Sequence, residues 1–242
     1  MGVSDILRKI SSRGAKCSAV IVAAGSAARM KGTDKIMADL GGEPLILHTL
    51  RAFEACEDIQ EIILVTREDL LEPLSTLCVE KKITKVNKLC KGGESRAASV
   101  QAGLDLVSKK CDLVAIHDGA RPLVTEKIIH DAVRKAEKFG AAAPAVPVKD
   151  TIKVVHGGVV ESTPDRSGLY AVQTPQVFKV NVYRAALEKS LGAKEQPTDD
   201  CSVAEQYGLR VIITEGSDEN LKVTTPTDLV LAEAILQMRT RQ

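Results

Sequence analysis

The sequence has no tryptophan, and only 2% of its 242 residues are aromatic. Proteins that bind single-stranded nucleic acid stack the bases on aromatic side chains, so this composition argues against such a surface. The charges also balance, since 33 Lys and Arg against 32 Asp and Glu leave a net charge of +1. No overall field attracts nucleic acid or an anionic membrane, and any anion site must therefore be local.

Long apolar segments are missing as well. No run approaches the roughly 20 residues that cross a bilayer. The first sixteen residues lack the apolar core of a secretory signal. We therefore expect no contact with a membrane or with nucleic acid. Residues 1–16 are interpreted as an N-terminal extension, with an organelle-targeting leader as the open alternative.

The six cysteines show neither a C-x-x-C pair nor a zinc-binding spacing. They are Cys17, Cys56, Cys78, Cys90, Cys111 and Cys201. Several fall within apolar stretches, where a thiol behaves as a small hydrophobic group. We therefore expect a protein of the reducing cytoplasm.

Short β-branched runs alternate with segments of helical periodicity. The predicted strands are Ala19–Ala23, Glu61–Thr66, Leu113–Ile116, Ala141–Val146 and Val211–Thr214. Val100, Leu104 and Val107 share one helical face between two of these runs. Strands with continuous apolar runs are buried on both sides, and their alternation with helices implies parallel pairing. The sequence predicts one α/β domain over residues 17–242, with a mainly parallel twisted sheet flanked by helices.

Residues 149–179 interrupt this alternation, because they are polar, carry two prolines and show no helical period. Two β-branched runs, Thr151–Val155 and Val159–Ser162, flank a His-Gly-Gly turn, which predicts a hairpin. The segment is interpreted as a β arm that leaves the main body. An arm with little core of its own needs a cover, and a second subunit would supply it.

The loop after the first strand combines small residues with positive charge. Ala23, Ala24 and Gly25 let backbone amides approach a phosphate, and Arg29 and Lys35 follow. The loop is neither a P-loop nor a dinucleotide fingerprint, since it lacks their glycine and lysine patterns. By itself it is a weak signal, and a strand-to-helix turn without a ligand is the alternative.

Two more turns carry polar groups. Gly92 and Gly93 open a helix and offer amides to a base or phosphate, although a plain capping turn is the alternative. Asp118 ends the strongest central strand, and a carboxylate at that place predicts a ligand for Mg²⁺. His117 is predicted to be structural, and Arg121 fits either an anion or a salt bridge to Asp118.

Lys222 lies between Leu221 and Val223, before the last predicted helix. A solvated surface lysine is the common alternative, but the strand-like flank predicts that Lys222 points to the same sheet edge as Asp118. No Ser-His-Asp string, H-E-x-x-H motif or nucleophile elbow is present. Cations, one carboxylate and glycine turns together favour phosphoryl or nucleotidyl transfer, in which positioning and charge neutralisation do most of the catalysis.

Seven strings resemble one known family when they are taken in order. They are AAGxxxRM with Lys35, GGExR, HDGARP, PVKDT, DRxGLxxxQTPQ, TDDxS and NLKVT. Over about residues 17–238 the chain is similar to the 2-C-methyl-D-erythritol 4-phosphate cytidylyltransferases of the non-mevalonate isoprenoid pathway. The resemblance implies a homodimer with a Rossmann-like nucleotidyltransferase fold. It also implies that CTP and methylerythritol phosphate react, with Mg²⁺, to 4-diphosphocytidyl-2-C-methyl-D-erythritol and pyrophosphate.

The resemblance implies roles for individual residues too. The nucleotide would be held by Ala23, Ala24, Gly25, Gly93 and Ser99. The catalytic cations would be Arg29, Lys35 and Lys222. The sugar phosphate would be bound by Asp118, Arg121, Thr151, Arg166, Thr174 and Thr198. Asp118 would also face the metal, and the arm residues Thr151 and Arg166 would reach the partner subunit's active site.

Three alternatives stay open at this point. A ribitol 5-phosphate cytidylyltransferase shares the first loop and the fold, although the D-R-x-G-L string at Asp165–Leu169 is closer to the methylerythritol enzyme. An NAD-dependent oxidoreductase would fit the strand–helix alternation, but G-x-G-x-x-G is absent. A nucleotide-sensing module without activity would not need all the cations.

Overall fold

The computed structural model describes residues 15–25, 35–191 and 197–240. The helices within these ranges are α1 (Leu45–Ala55), α2 (Leu71–Glu80), α3 (Arg96–Asp105), α4 (Glu126–Phe139), α5 (Val180–Leu191), α6 (Asp200–Gln206) and α7 (Pro226–Thr240). The strands are β1 (Cys17–Val22), β2 (Asp39–Leu40), β3 (Glu43–Pro44), β4 (Ile59–Thr66), β5 (Val86–Lys91), β6 (Leu113–Asp118), β7 (Ala141–Pro147), β8 (Val154–His156), β9 (Val159–Ser162), β10 (Tyr170–Val172), β11 (Gln176–Lys179) and β12 (Ile212–Glu215).

The central sheet of the described chain has eight strands, in the order β10-β7-β11-β6-β1-β4-β5 with β12 beside β7. β1 pairs in parallel with β4 and β6, and β4 pairs in parallel with β5. β11 is antiparallel to both β6 and β7, and β10 is antiparallel to β7. The predicted α/β class with a mainly parallel sheet is confirmed, but the two antiparallel strands were not predicted from the sequence.

Both faces of the sheet are covered by helices. Along β1, Ala19 and Ile21 pack with α1, α2 and α4, whereas Val20 packs with α3, α5 and α6 on the other face. All three side chains are fully buried. Each buried Ile or Leu contributes about 1.5–3 kcal/mol relative to an exposed one. This two-sided burial explains why the strands of the centre carry continuous apolar runs rather than alternating polar and apolar residues.

The helix α4 shows how local signals set the elements. The Thr125 side chain accepts a hydrogen bond from the Ile128 amide and caps the first turn. The helix ends at Gly140, whose φ of 97° lies in the left-handed region that favours glycine. The chain then enters β7 directly, so the turn fixes the register of that strand.

The exposed arm is shorter than the sequence predicts. Its hairpin is formed by β8 and β9, so the first strand begins at Val154 rather than at Thr151. β10 and β11 belong to the main sheet, and Val177 and Phe178 are fully buried in it. The arm therefore ends near Leu169 instead of residue 179. The prolines and polar residues of this segment masked a short strand that the core holds in place.

The N-terminal extension lies mostly outside the described residues, which begin at Ala15. The Ala15 amide donates a hydrogen bond to Glu137 Oε1 at 2.7 Å, next to the start of β1. Within the described part of the chain, no helix has the length and apolar character that crossing a membrane requires.

Candidate active site

The carboxyl ends of β1, β5 and β6 border a cleft of about 420 Å³. Three hydrogen bonds continue the sheet past these strand ends. Ala23 donates to Val65 O at 2.7 Å, Gly92 donates to Thr66 O at 2.8 Å, and Gly119 donates to Val22 O at 2.9 Å. The loops that follow the three strands therefore lie side by side, as expected at the carboxyl edge of an α/β sheet.

Most residues that the sequence assigns to the site lie at this cleft. The lining includes Ala23, Ala24, Gly25, Lys35, Gly93, Ser99, Asp118 and Lys222. Lys35 and Lys222 come from opposite ends of the chain, and the fold brings both to one cavity. Arg29, the third predicted cation, lies outside the described residues.

The glycine turn after β5 is in direct contact with the loop after β1. A Cβ atom on Gly92 would lie 2.3 Å from the Ala24 side chain, so only glycine fits there. Ser99 of α3 accepts a hydrogen bond from the Gly93 amide at 3.1 Å and holds the turn against the helix. These contacts predict a closely packed wall of small residues against which a nucleotide base can pack.

Asp118 lies where three cations meet. Its Oδ2 is 2.9 Å from Lys222 Nζ and 3.7 Å from Arg121 Nε, and its Oδ1 is 3.8 Å from Arg96 Nε. Burial by itself would raise the pKa of Asp118, but Lys222, Arg96 and Arg121 together lower that pKa to about 2. The carboxylate is therefore ionised at neutral pH, as a metal ligand must be.

The loop that carries Lys222 is fastened to the turn after Asp118. The Val223 amide donates a hydrogen bond to Ala120 O at 2.8 Å. From the other side, the Arg121 guanidinium donates to Asn220 O at 2.7 Å. The ammonium group is thus positioned by backbone contacts as well as by its ion pair.

His117 and Thr174 form a buried support below Asp118. Thr174 Oγ1 accepts a hydrogen bond from the Asp118 amide at 3.1 Å and lies 3.0 Å from His117 Nδ1. Burial lowers the pKa of His117 to about 3, so the ring is neutral. Its Nε2 faces the Arg121 carbonyl oxygen at 3.4 Å, which can only accept, so Nε2 carries the hydrogen and Nδ1 accepts that of the Thr174 hydroxyl. His117 has the structural role that the sequence predicts. The contact of Thr174 with substrate stays a prediction, because its hydroxyl serves this support.

The buried His117 should make the protein sensitive to acid. The unfolded histidine titrates near pH 6.5 and the folded one near 3, so between these values the unfolded state binds the extra proton. Stability should then fall with falling pH by up to about 1.4 kcal/mol per unit from this residue. Urea unfolding of wild type and His117→Asn between pH 7 and pH 4 measures the effect. His117→Asn should be less stable overall, but its free energy of unfolding should depend less steeply on pH than that of wild type. Equal pH dependence in the two proteins would contradict the prediction.

The remaining predicted residues lie elsewhere. Thr198 is exposed and precedes Asp199, the residue that caps α6. Thr151 and Arg166 lie on the arm, and neither lines the cleft of its own chain among the described residues. Arg166 instead borders a shallow depression together with Lys149. Their predicted contact with a partner's cleft stays a prediction.

Sequence reasoning missed a group of residues behind the cleft. Arg96 lines the cleft, and its Nη2 lies 2.5 Å from Asp200 Oδ2. The Tyr183 hydroxyl donates to Asp200 Oδ1 at 2.6 Å. Arg96 and Asp200 stand in the GGExR and TDDxS strings, where they could have been noticed, but nothing in the sequence singles out Tyr183.

The described residues contain no group of three or more His, Cys, Asp or Glu that could hold a metal ion. Asp118 offers one ionised carboxylate in the cleft. Mg²⁺ in proteins that handle phosphates is commonly held by one or two carboxylates plus phosphate oxygens. The residues present fit a metal that binds together with its phosphate ligand, and they do not fit a metal held by protein side chains alone.

Comparisons with known proteins agree on one family. The family profile described as "IspD: 2-C-methyl-D-erythritol 4-phosphate cytidylyltransferase" matches residues 17–238. An enzyme of that name from Caldanaerobacter subterraneus is 45% identical over 91% of this chain and 98% of its own. Another from Halalkalibacterium halodurans is 45% identical over 93% of this chain and 99% of its own.

Solved structures give the same result. The 4-diphosphocytidyl-2C-methyl-D-erythritol synthase of Anaerococcus prevotii has a TM-score of 0.83 and 31% identity, covering 93% of this chain and 97% of its own. The 2-C-methyl-D-erythritol 4-phosphate cytidylyltransferase of Thermus thermophilus has a TM-score of 0.74 and 30% identity, with 90% of this chain and 98% of its own covered.

Proposed function

The chain belongs to the 2-C-methyl-D-erythritol 4-phosphate cytidylyltransferase family, and we propose that the cleft between β1, β5 and β6 is where its two substrates react. The enzyme is a cytidylyltransferase of the non-mevalonate isoprenoid pathway and forms 4-diphosphocytidyl-2-C-methyl-D-erythritol. The observation that carries the site proposal is the convergence of Lys35, Lys222 and the ionised Asp118 on one cavity.

The nucleotide occupies the side of the cleft formed by the loops after β1 and β5. Ala23, Ala24 and Gly25 present backbone there, and the turn at Gly93 is held by Ser99. A Cβ atom on Gly25 would lie 3.8 Å from Lys35 Nζ, so this lysine is near the backbone that receives the triphosphate. CTP is proposed to bind at this wall because its small residues admit a base and let phosphate come close to the backbone.

The reaction is an in-line displacement. A phosphate oxygen of methylerythritol phosphate attacks the α-phosphorus of CTP, the bond to the β-phosphate oxygen breaks, and pyrophosphate leaves. Both reactants are anions, so their repulsion must be neutralised before they meet. Lys35 and Lys222 supply positive charge from two sides of the cleft, and Arg29 is proposed as a third cation. The attacking phosphate is already ionised at neutral pH and needs no general base.

Mg²⁺ is proposed as the cofactor, held by Asp118 and by phosphate oxygens of the substrate. When bound, it would withdraw charge from the phosphates and help pyrophosphate to leave. The protein's own part is to keep Asp118 ionised by means of Lys222, Arg96 and Arg121. The hydrogen bond from the Asp118 amide to Thr174 Oγ1 fixes the backbone from which that carboxylate extends.

A release assay tests the substrate assignment. Purified enzyme with Mg²⁺ should release pyrophosphate from CTP with methylerythritol phosphate, and much less with ATP, GTP or UTP. Ribitol 5-phosphate in place of methylerythritol phosphate tests the main alternative within the class. Release with ribitol 5-phosphate but not with methylerythritol phosphate would overturn the assignment. If neither sugar phosphate gives release, a nucleotide-sensing module without activity becomes the better interpretation.

The arm supports a homodimer. Its hairpin exposes Val155, Val159 and Val160 by 51%, 68% and 54% within one chain. An isolated two-stranded hairpin is marginally stable at best, and apolar side chains of this size are usually covered in an assembly. We propose that two arms pair in a homodimer and that Thr151 and Arg166 reach the partner's cleft to bind methylerythritol phosphate.

Mixed dimers should show whether the arm acts across subunits. Arg166→Ala should mainly raise the KM for methylerythritol phosphate, by about tenfold or more, because a charged contact to phosphate is lost. Co-expressed with Lys222→Ala, it should recover about a quarter of wild-type activity at low substrate. The reason is that about half of the dimers are mixed and each mixed dimer keeps one intact site.

The matched control for this experiment combines Lys222→Ala with Lys35→Ala. Both residues line the cleft of their own chain, so no mixed dimer regains an intact site and activity should stay low. Two results would contradict the exchange of arms: activity that recovers in the control mixture, or activity that does not recover when Arg166→Ala is co-expressed with Lys222→Ala.

The cytoplasm is proposed as the compartment. All six cysteines are free, and five of them are buried. Free thiols that are not used in disulfides are typical of proteins kept in a reducing environment.

A further inference from the structure

Arg96 connects the cleft to a buried carboxylate in the core. The guanidinium lies between two carboxylates, with Nη2 2.5 Å from Asp200 Oδ2 and Nε 3.8 Å from Asp118 Oδ1. Asp200 is 1% exposed, and its other oxygen accepts the Tyr183 hydroxyl at 2.6 Å. Arg96 is therefore hydrogen-bonded to Asp200, behind the cleft. Its Nε stays beyond hydrogen-bond distance from Asp118, inside the cleft.

The charge distribution agrees with this arrangement. Burial would lower the pKa of Arg96, but the nearby Asp200 and Asp118 raise it, so the side chain stays a cation. A buried ion pair generally contributes little net stability, since desolvation offsets the attraction. An apolar pair of similar size would fill the same space. The Asp200 carboxylate, in contrast, also fixes the direction in which the Arg96 guanidinium points.

The anchor itself is rigid. Asp200 opens α6, and the preceding Asp199 caps that helix. The Gln176 side chain of β11 donates to Asp199 Oδ2 at 2.7 Å and accepts from the Cys201 amide at 2.9 Å. Asp200 is thus held by the central sheet through both neighbours, only two residues after Thr198.

We propose that Asp200, together with Tyr183, is a positioning residue for cytidylyl transfer: it holds Arg96 off Asp118. Arg96 then lowers the negative potential around Asp118 without closing on its Oδ1. Without the Asp200 charge, Arg96 moves onto Asp118 and occupies the oxygen that the substrate complex needs. The inference rests on the proposed role of Asp118 in the cleft.

The test compares kcat and KM of single variants. Asp200→Asn keeps the size of the side chain and removes its charge. We expect kcat to fall about 10–100-fold, as is usual for the partners of a site carboxylate, with the KM for CTP changed much less. Tyr183→Phe should lower kcat in the same direction by a few fold.

The matched control is Glu61→Gln. Glu61 is another buried carboxylate with a lysine partner, Lys88 at 2.9 Å, but it lies near the amino-terminal ends of β1 and β4. The Glu61→Gln enzyme should have a lower melting temperature than wild type but the same kcat. If Asp200→Asn fails to fold, Tyr183→Phe decides the question by its kcat relative to Glu61→Gln.

A double variant separates positioning from a general structural effect. Because Asp200 acts through Arg96, Asp200→Asn added to Arg96→Gln should lower kcat no further than Arg96→Gln alone. Additive losses would overturn the proposal, and so would an Asp200→Asn enzyme with the kcat of Glu61→Gln. If Asp118→Asn is inactive while Asp200→Asn has the kcat of wild type, the positioning role of Asp200 is refuted and the role of Asp118 in the cleft stands. If wild type releases no pyrophosphate from CTP and methylerythritol phosphate, the proposed function fails instead.

Discussion

Replacing Lys222 with alanine should give a folded enzyme whose kcat is lower by about 10²–10³-fold, the usual loss for one preorganised charge contact. The ammonium is 2.9 Å from Asp118 and lines the cleft next to the proposed phosphate path. In the ground state it pairs with a carboxylate, and in the transition state it faces growing negative charge on the phosphates. The loss should therefore appear in kcat more than in the KM for CTP, measured by pyrophosphate release with saturating Mg²⁺.

The matched control for Lys222→Ala is Lys88→Ala. Its side chain is 34% exposed and pairs with a buried glutamate at 2.9 Å, whereas Lys222 is 40% exposed and pairs with a buried aspartate. Both substitutions remove a lysine from a buried carboxylate, so both should lower the melting temperature. Only Lys222→Ala should lower kcat by orders of magnitude. A Lys222→Ala enzyme with the kcat of Lys88→Ala would remove Lys222 from the mechanism.

Asp118→Asn should separate nucleotide binding from catalysis. The asparagine side chain keeps the shape of the aspartate, and the backbone amide of residue 118 still donates to Thr174 Oγ1. The three cations around the carboxylate, however, lose their common counter-charge. We expect kcat to fall about 10²-fold or more at any Mg²⁺ concentration. Without Mg²⁺, CTP should bind as well as to wild type or better, because the cleft has gained positive charge.

Calorimetric titration with CTP, in EDTA and in Mg²⁺, checks the binding half of this prediction. In wild type, Mg²⁺ should strengthen binding of CTP, and in Asp118→Asn this gain should be mostly lost. Glu61→Gln, which removes a different buried carboxylate, should keep the Mg²⁺ gain and the wild-type kcat. An Asp118→Asn enzyme that needs Mg²⁺ as wild type does would show that this carboxylate does not hold the metal.

Much of the fold was readable from short stretches of sequence. β1 and β6 are buried on both faces, so β1 and the first four residues of β6 are apolar or small, and both strands stand out from their surroundings. Their ends are marked by Gly25 and Gly119, which also mark the cleft. The residue pattern itself predicted a site at this edge of the sheet, and the family that the strings resemble is confirmed by the comparisons.

The antiparallel strand β11 could not be predicted from the sequence. It has only four residues and follows Pro175, which is typical of a loop or an edge. Its place between β6 and β7 depends on Val177 and Phe178 filling the interior, and such a long-range contact leaves no local period. For the same reason the sequence placed the end of the arm ten residues too far along the chain.

The order of residues determined most of the parallel strands and the types of group at the carboxyl edge, since these follow from local periodicity and from glycine's freedom. It also determined the family, through strings that keep their order. The tertiary structure decided which charges pair, because the sequence predicted only a shared sheet edge for Lys222 and Asp118 and left the Arg121–Asp118 salt bridge as one of two alternatives. Arg96 and Asp200 are 104 positions apart, and Lys222 and Asp118 also come from distant segments. Ion pairs of this kind form where the packing of helices on a sheet brings side chains together, and no spacing along the chain encodes that distance.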